Sequence, residues 1–257
     1  MNQKSKLSLL RNLFNSGYFS TIIEKVFKRF FDKKSSISDA ELEAWLEDNK
    51  SELEKYCKDI NKDLWQESLD ACTTIKKESE VVLDKIPYHL GGGGAYPLLY
   101  FLVRKLTPKV VVESGVAAGF SSYSILKALE KNGSGSLYSS DFPYFRIPSP
   151  EKYIGILVPE SLKLKWHLFI EGDKKNFPMI LQDIDHIDIL HYDSDKSYSG
   201  RSFALKAFRK VIDSKTILIF DDIQNNSHFY DLVKATNPSQ WQVFSFENKW
   251  LGIIGEI

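Results

Sequence analysis

The sequence is poor in cysteine and methionine, has no long apolar run, and carries no excess of either charge. Of its 257 residues only Cys57 and Cys72 are cysteines, too few for a disulfide scaffold and suited to a reducing compartment. Lys plus Arg number 34 and Asp plus Glu number 34, so no net positive field recruits nucleic acid. No stretch approaches the ~20 apolar residues of a membrane span, and Met1-Asn-Gln-Lys4 does not lead into a signal peptide. The cytoplasm is therefore the expected compartment. With 43% apolar and 26% charged residues, the chain reads as a soluble globular protein. Its length fits one large domain, or one domain with an added segment.

What is present centres on Val110-Val-Val-Glu-Ser-Gly-Val-Ala-Ala-Gly-Phe-Ser-Ser122. Three β-branched residues predict a short strand buried on both faces. Gly115 and Gly119 permit a tight turn with open space above the backbone, and residues 121–129 read as a helix. Strand, glycine turn and helix gather helix N–H groups and a carboxylate around one point. A dinucleotide fingerprint needs a glycine where Ala117 stands, because its backbone must approach a pyrophosphate. A ligand without a pyrophosphate has no such need. S-adenosylmethionine fits, its carboxylate near the helix N–H groups (Ser121 among them) and its ammonium near Glu113. An ordinary β–α connection is the plain alternative.

Charge is unevenly distributed within the neutral total. Residues 1–34 hold Lys4, Lys6, Arg11, Lys25, Lys28, Arg29, Lys33 and Lys34 against Glu24 and Asp32, with apolar residues at helical spacing. A basic amphipathic helix can lie on an acidic membrane surface; a helix docked on its own domain, with a solvated basic face, is preferred. Ser38-Asp-Ala-Glu41 predicts a capping box, followed by helical signal to about Ile86 and a stop at Pro87. Residues 1–90 therefore read as a helical extension, available for a homodimer interface. Gly91–Gly94 is a hinge, read as a linker in preference to a mobile loop. Residues 91–257 read as the ligand-binding domain.

From there strands and helices alternate. Predicted strands end in Asp141, in Gly172-Asp173, in Asp193 and at Phe220, and a terminal hairpin spans 241–256. The pattern predicts an α/β fold, a doubly wound, mostly parallel seven-stranded sheet. In this architecture an acid at the end of the second strand, Asp141, can bond ribose hydroxyls. The Pro-rich stretch 142–163 is long enough to form a substrate entrance.

Two strand ends carry paired acids, Asp193-Ser-Asp195 and Asp221-Asp222. Strand carboxyl ends of an open sheet line one crevice, and carboxylates gathered there repel unless a cation neutralises them. Oxygen ligands favour Mg²⁺ or a similar ion over zinc. Helix capping explains one such pair; two pairs at adjacent strand ends favour a metal.

Residues from about Gly91 onward resemble a class I S-adenosylmethionine-dependent methyltransferase. They are most similar to a bacterial branch related to macrocin-type and cephalosporin-cluster enzymes, and more distantly to the catechol and caffeoyl-CoA O-methyltransferases. The resemblance rests on Glu113-Ser-Gly-Val-Ala-Ala-Gly-Phe-Ser121, Asp141, Gly172-Asp173, and the 28-residue step from Asp193 to Asp221. It implies cofactor contacts at Glu113, Gly115, Gly119, Asp141, Gly172 and Asp173, and Mg²⁺ on Asp193, Asp221 and Asp222. Lys196 departs from the bacterial branch, where His is usual, and matches the catechol type. Lysine beside a divalent ion has its ammonium disfavoured, which suits a base. A surface lysine paired with Asp195 is the alternative. His228 is a weaker candidate base, placed on a loop, and His191 reads as a packed core residue. The implied activity is metal-assisted O-methylation of a small-molecule or saccharide hydroxyl. A non-catalytic binding or assembly protein and a nicotinamide oxidoreductase are the rival readings.

Overall fold

The computed structural model describes residues 32, 35–91, 94–144 and 146–257. The basic segment at the N-terminus, and any membrane contact through it, thus lies outside the described residues apart from Asp32. Helix α1 (Asp39–Asp48) opens with the expected capping box, in which Ser38 and Glu41 satisfy each other's backbone N–H groups. Strand β1 (Lys50–Ser51) and helix α2 (Leu53–Leu83) follow. Asn61 breaks α2 (φ −163°, ψ 99°), and its side-chain oxygen caps the second half at the Leu64 N–H, 3.0 Å away. Helix α3 (Tyr96–Leu106) has Pro97 in its first turn, where the missing N–H costs nothing.

The remaining elements alternate: β2 (Val110–Ser114), α4 (Phe120–Asn132), β3 (Ser136–Ser140), β4 (Trp166–Phe169), α5 (Asp173–Asp183), β5 (Ile189–Tyr192), α6 (Tyr198–Phe208), β6 (Ile217–Phe220), α7 (His228–Thr236), β7 (Trp241–Phe246) and β8 (Lys249–Ile254). They form one sheet of order β1-β7-β8-β6-β5-β2-β3-β4. Pairing is parallel throughout except where β8 runs antiparallel between β6 and β7. The doubly wound α/β sheet is the one expected. It has eight strands rather than seven because β1, from the stretch read as wholly helical, pairs with β7.

Alternate residues of each strand feed two cores, as a sheet covered on both faces requires. Val111, Leu137, Ile189 and Ile219 pack with α2, α3 and α4, through Trp65, Cys72, Phe101 and Leu126. Val112, Leu190 and Phe220 pack with α1, α5, α6 and α7, through Leu42, Phe177, Phe208 and Phe229. Residues 39–83 therefore cover both faces of the sheet. Trp45 stacks on Trp241 of β7 at 5.3 Å between ring centres. Among the described residues, no helix is long and apolar enough to cross a membrane.

Candidate functional site

The parallel strands β2, β3, β5 and β6 deliver their carboxyl ends to one side of the sheet, and a cavity of about 210 Å³ opens there. Its floor is the turn from Gly115 to Gly119 with Phe120 and Ser121 of α4. Asp141, Phe142, Pro143 and Tyr144 line one side, Asp193 and Ser194 another, and Gly91 and Gly94 a third. The tetraglycine stretch, read as a linker, thus contributes to the wall. Gly115 has φ +100°, and a Cβ there would stand 2.3 Å from the Asp193 carbonyl. Only glycine lets the ends of β2 and β5 approach so closely. Ala117 also occupies the left-handed region (φ 51°).

Asp141 shapes this turn. One carboxylate oxygen accepts from Val116 N at 3.0 Å and Ala117 N at 2.7 Å, and the other from Phe142 N. Of the expected cofactor residues, Gly115, Gly119, Ser121 and Asp141 line the cavity. Glu113 lies behind it, fully buried, where Ser122 and Ser139 donate to Oε2 at 2.6 and 2.8 Å. It faces the core because strand alternation turns it away from the turn. Gly172 (φ +88°) precedes α5, and Asp173 accepts from Ser114 and Ser140 at 2.9 and 2.7 Å. These two brace the ends of β2 and β3, outside the cavity lining. The buried Asn176 donates to Ser140, Asp141 and Phe169 and completes that brace.

The acids at the β5 and β6 ends converge, but each has a cationic neighbour from the chain. The Lys196 ammonium contacts Asp222 Oδ2 and lies 3.8 Å from Asp193 Oδ1. Asp221 Oδ2 lies 3.9 Å from His191 Nε2, whose other ring nitrogen is 3.9 Å from Glu113 Oε1. Lys196 therefore pairs with Asp222 rather than with Asp195. Burial works against the charge on Lys196, but Asp222 and Asp193 outweigh it and hold the ammonium above its usual range. The environment seen here makes Lys196 a persistent cation, not the depressed amine that a free base would need.

Burial, with Asp221 beside it, pushes the Asp193 carboxyl up to about 7, and its buried Oδ1 has no hydrogen-bond partner among the described residues. His191 is a core residue, as expected, yet a charged one. Burial pulls it down, and Asp221 and Glu113 more than reverse this, raising it to about 10. Burial likewise opposes the Asp221 carboxylate, and His191 outweighs burial to draw it down. Among the described residues, no three His, Cys, Asp or Glu side chains form a group able to hold a metal.

His228 does not lie on a loop. It opens α7, is 5% exposed, and packs against Tyr198 and Phe220 at 5.0 and 5.9 Å between ring centres. The polar run Gln224-Asn-Asn-Ser227 hides the start of a helix whose buried face is Phe229 and Val233. Arg201 and Asn226, which join the acidic strand ends, carry no sequence motif that singles them out.

Residues 112–223 match the family model of a methyltransferase domain. No curated protein matches the chain by sequence. Among solved structures, an O-methyltransferase from Bacillus cereus in complex with SAH is similar at TM-score 0.54 and 14% identity. That match covers 72% of this chain and 91% of the Bacillus chain. A methyltransferase from Geobacter sulfurreducens superposes at TM-score 0.51 and 17% identity, covering 71% of this chain and 89% of that one. At these identities the likeness is one of fold, the Rossmann-like class I methyltransferase fold. The chain adopts that fold, and residues 112–223 within it resemble a methyltransferase domain.

Proposed function

We propose that this enzyme is an S-adenosylmethionine-dependent O-methyltransferase acting on a small-molecule or saccharide hydroxyl. The observation that carries the reading is the cavity on the glycine turn, with Asp141 on one wall and Asp193 on another, within the segment that matches the methyltransferase domain. The residues present suit the cofactor. Gly115 and Gly119 keep side chains out of the turn, the first turn of α4 presents N–H groups for a carboxylate, and Asp141 stands on the cavity wall at the end of β3, where a ribose-binding acid belongs. The SAH complex of the Bacillus cereus protein supports the same ligand here. S-adenosylmethionine, when bound, supplies an electrophilic methyl group.

The chain's own part is to orient the acceptor and move one proton. Lys196, held as an ammonium beside the cavity wall, donates to the acceptor oxygen and stabilises the negative charge that develops there. Asp193 is raised to about 7, a value matched to accepting the hydroxyl proton near neutral pH. With that proton on the carboxyl, the oxygen would be free to take the methyl group as its bond to sulfur breaks and the electron pair stays on sulfur. This assigns Lys196 an electrostatic role in place of the base role expected from sequence, and the buried His228 none.

Mg²⁺ on Asp193, Asp221 and Asp222 is the ion that the resemblance implies. As these carboxylates are arranged, Lys196 stands between Asp193 and Asp222 and His191 stands beside Asp221. That donor set does not fit an ion without displacing Lys196. Chelation separates the two cations: transfer retained in excess EDTA assigns the charge to Lys196, and loss restored by Mg²⁺ assigns it to a metal.

Calorimetric titration with S-adenosylhomocysteine tests the cofactor. Binding at a micromolar Kd, about −8 kcal/mol, is expected for the wild type, with at least about tenfold loss in Asp141→Ala. Absence of binding by the wild type would overturn the reading. Methyl transfer from labelled cofactor to a panel of phenols, catechols and monosaccharides then tests the acceptor class.

A further inference from the structure

The loops after β5 and β6 carry Lys196 and Asp222, and one side chain ties them together. Arg201, in the first turns of α6, is wholly buried. Its Nη2 donates to the carbonyls of Asp221 and Asp222 at 2.9 and 2.8 Å, and its Nη1 to Asn226 Oδ1 at 2.9 Å. Asn226 in turn donates from Nδ2 to the Lys196 carbonyl at 2.7 Å. Asp222 sits in the left-handed region (φ 53°, ψ 41°), which is unfavourable for a residue with a Cβ. Such a conformation persists only where the surroundings over-determine it. The two Arg201 bonds to carbonyls on either side of the Asp222 Cα do this.

A buried guanidinium is a costly way to fill space. Taking an ion out of water is unfavourable, and an apolar residue of similar volume often packs better. The three oxygens that Arg201 bonds are neutral, and its Nε has no partner among the described residues. Its planar fork is what the arrangement uses, since a lysine ammonium cannot span two carbonyls and an amide with fixed geometry.

We infer that Arg201, acting through Asn226, is a positioning residue that sets the Lys196 ammonium against Asp222. The fork fixes the corner from which the Asp222 carboxylate projects, and the Asn226 amide fixes the backbone from which Lys196 projects. The functional meaning rests on the role proposed above for Lys196; the geometry is tested without it.

The test is competitive acetylation by limiting acetic anhydride, read by mass spectrometry as labelling of Lys196 relative to Lys206. Both lysines flank the same part of the chain, and Lys206 is exposed on α6, whereas the Lys196 side chain is 44% exposed and ion-paired. The variants are Arg201→Lys and the near-isosteric Asn226→Asp, which keeps an acceptor for Arg201 and loses the donor to Lys196. In each, the Lys196 to Lys206 ratio is expected to rise about fivefold, the factor of roughly one lost kcal/mol, with S-adenosylhomocysteine affinity within about twofold of wild type. An unchanged ratio in a folded variant overturns the inference. So does a uniform rise across all lysines, which marks general loosening. Should Arg201→Lys not fold, Asn226→Asp carries the test alone. Failure of the functional reading is separate: it shows as methyl transfer that survives Lys196→Met, while the labelling ratio still responds to Asn226→Asp.

Discussion

His191 in β5 and Asp193 just beyond its end lie two residues apart, and burial opposes the charge on both, but their neighbours give opposite outcomes. Asp193 keeps a buried oxygen with no hydrogen-bond partner among the described residues, near two other acids, and its carboxyl is raised to about 7. A folded value above the unfolded one near 3.9 means that stability from its protonated form is present at acid pH and is lost as pH rises through 7. Asp193→Asn should therefore melt higher than wild type, by an amount that grows from about pH 4 to pH 7 and then levels. At roughly 2–4 °C per kcal/mol for this size, several degrees are expected in thermal melts at pH 8, with methyl transfer lost. His191, held at about 10 by two carboxylates against burial, has the basic counterpart of this linkage. Its stabilising contribution is full below about 6.5 and falls as pH rises toward 10. His191→Gln should destabilise by about 3–5 kcal/mol at pH 6, the usual cost of breaking a buried ion pair. The deficit relative to wild type should shrink by pH 10 in denaturant titrations.

Among the elements, the turn between β2 and α4 is decided by steric room rather than by hydrogen bonds alone. Gly115 combines a positive φ with a carbonyl 2.3 Å from where a Cβ would stand, so Gly115→Ala must separate the ends of β2 and β5. A loss of about 2 kcal/mol or more in stability is expected, together with at least tenfold weaker S-adenosylhomocysteine binding. Wild-type affinity in that variant would mean that the turn is not where the ligand rests. This strand–turn–helix was legible in the sequence because valine bias, glycine pair and helix spacing are local signals. The capping box at Ser38 and Glu41 was legible for the same reason. Helix α7 was not, since its polar lead-in resembles a loop and its apolar face is short. Strand β1 is two residues long and exists only because β7 offers an edge beside it.

At the scale of the whole molecule, residues 39–83 are part of the folded unit. They add a strand to the sheet and cover both its faces, with Leu42 and Leu46 on one and Trp65, Cys72 and Ile75 on the other. A chain beginning at residue 91 would expose the α3 face that Trp65 and Cys72 cover. Burying each large side chain contributes about 1.5–3 kcal/mol, so the several lost together are comparable to the whole margin of a typical domain. Such a fragment is expected to be insoluble or molten, without the near-ultraviolet circular dichroism of the full chain. A fragment that melted cooperatively near the full-length Tm would show the helices to be dispensable.

The sequence alone determined the alternation of strands and helices, the place of the glycine turn, and the gathering of acids at adjacent strand ends. Each follows from patterns within about fifteen residues, where periodicity and backbone stereochemistry act. Only the tertiary structure decided how those acids are neutralised. Whether Asp222 meets a bound ion or Lys196, whether Asp221 turns to His191, and whether His228 reaches a cavity or a core depend on distances between different strands. Burial and Coulomb energy depend on those separations, and nothing in the order of residues specifies them.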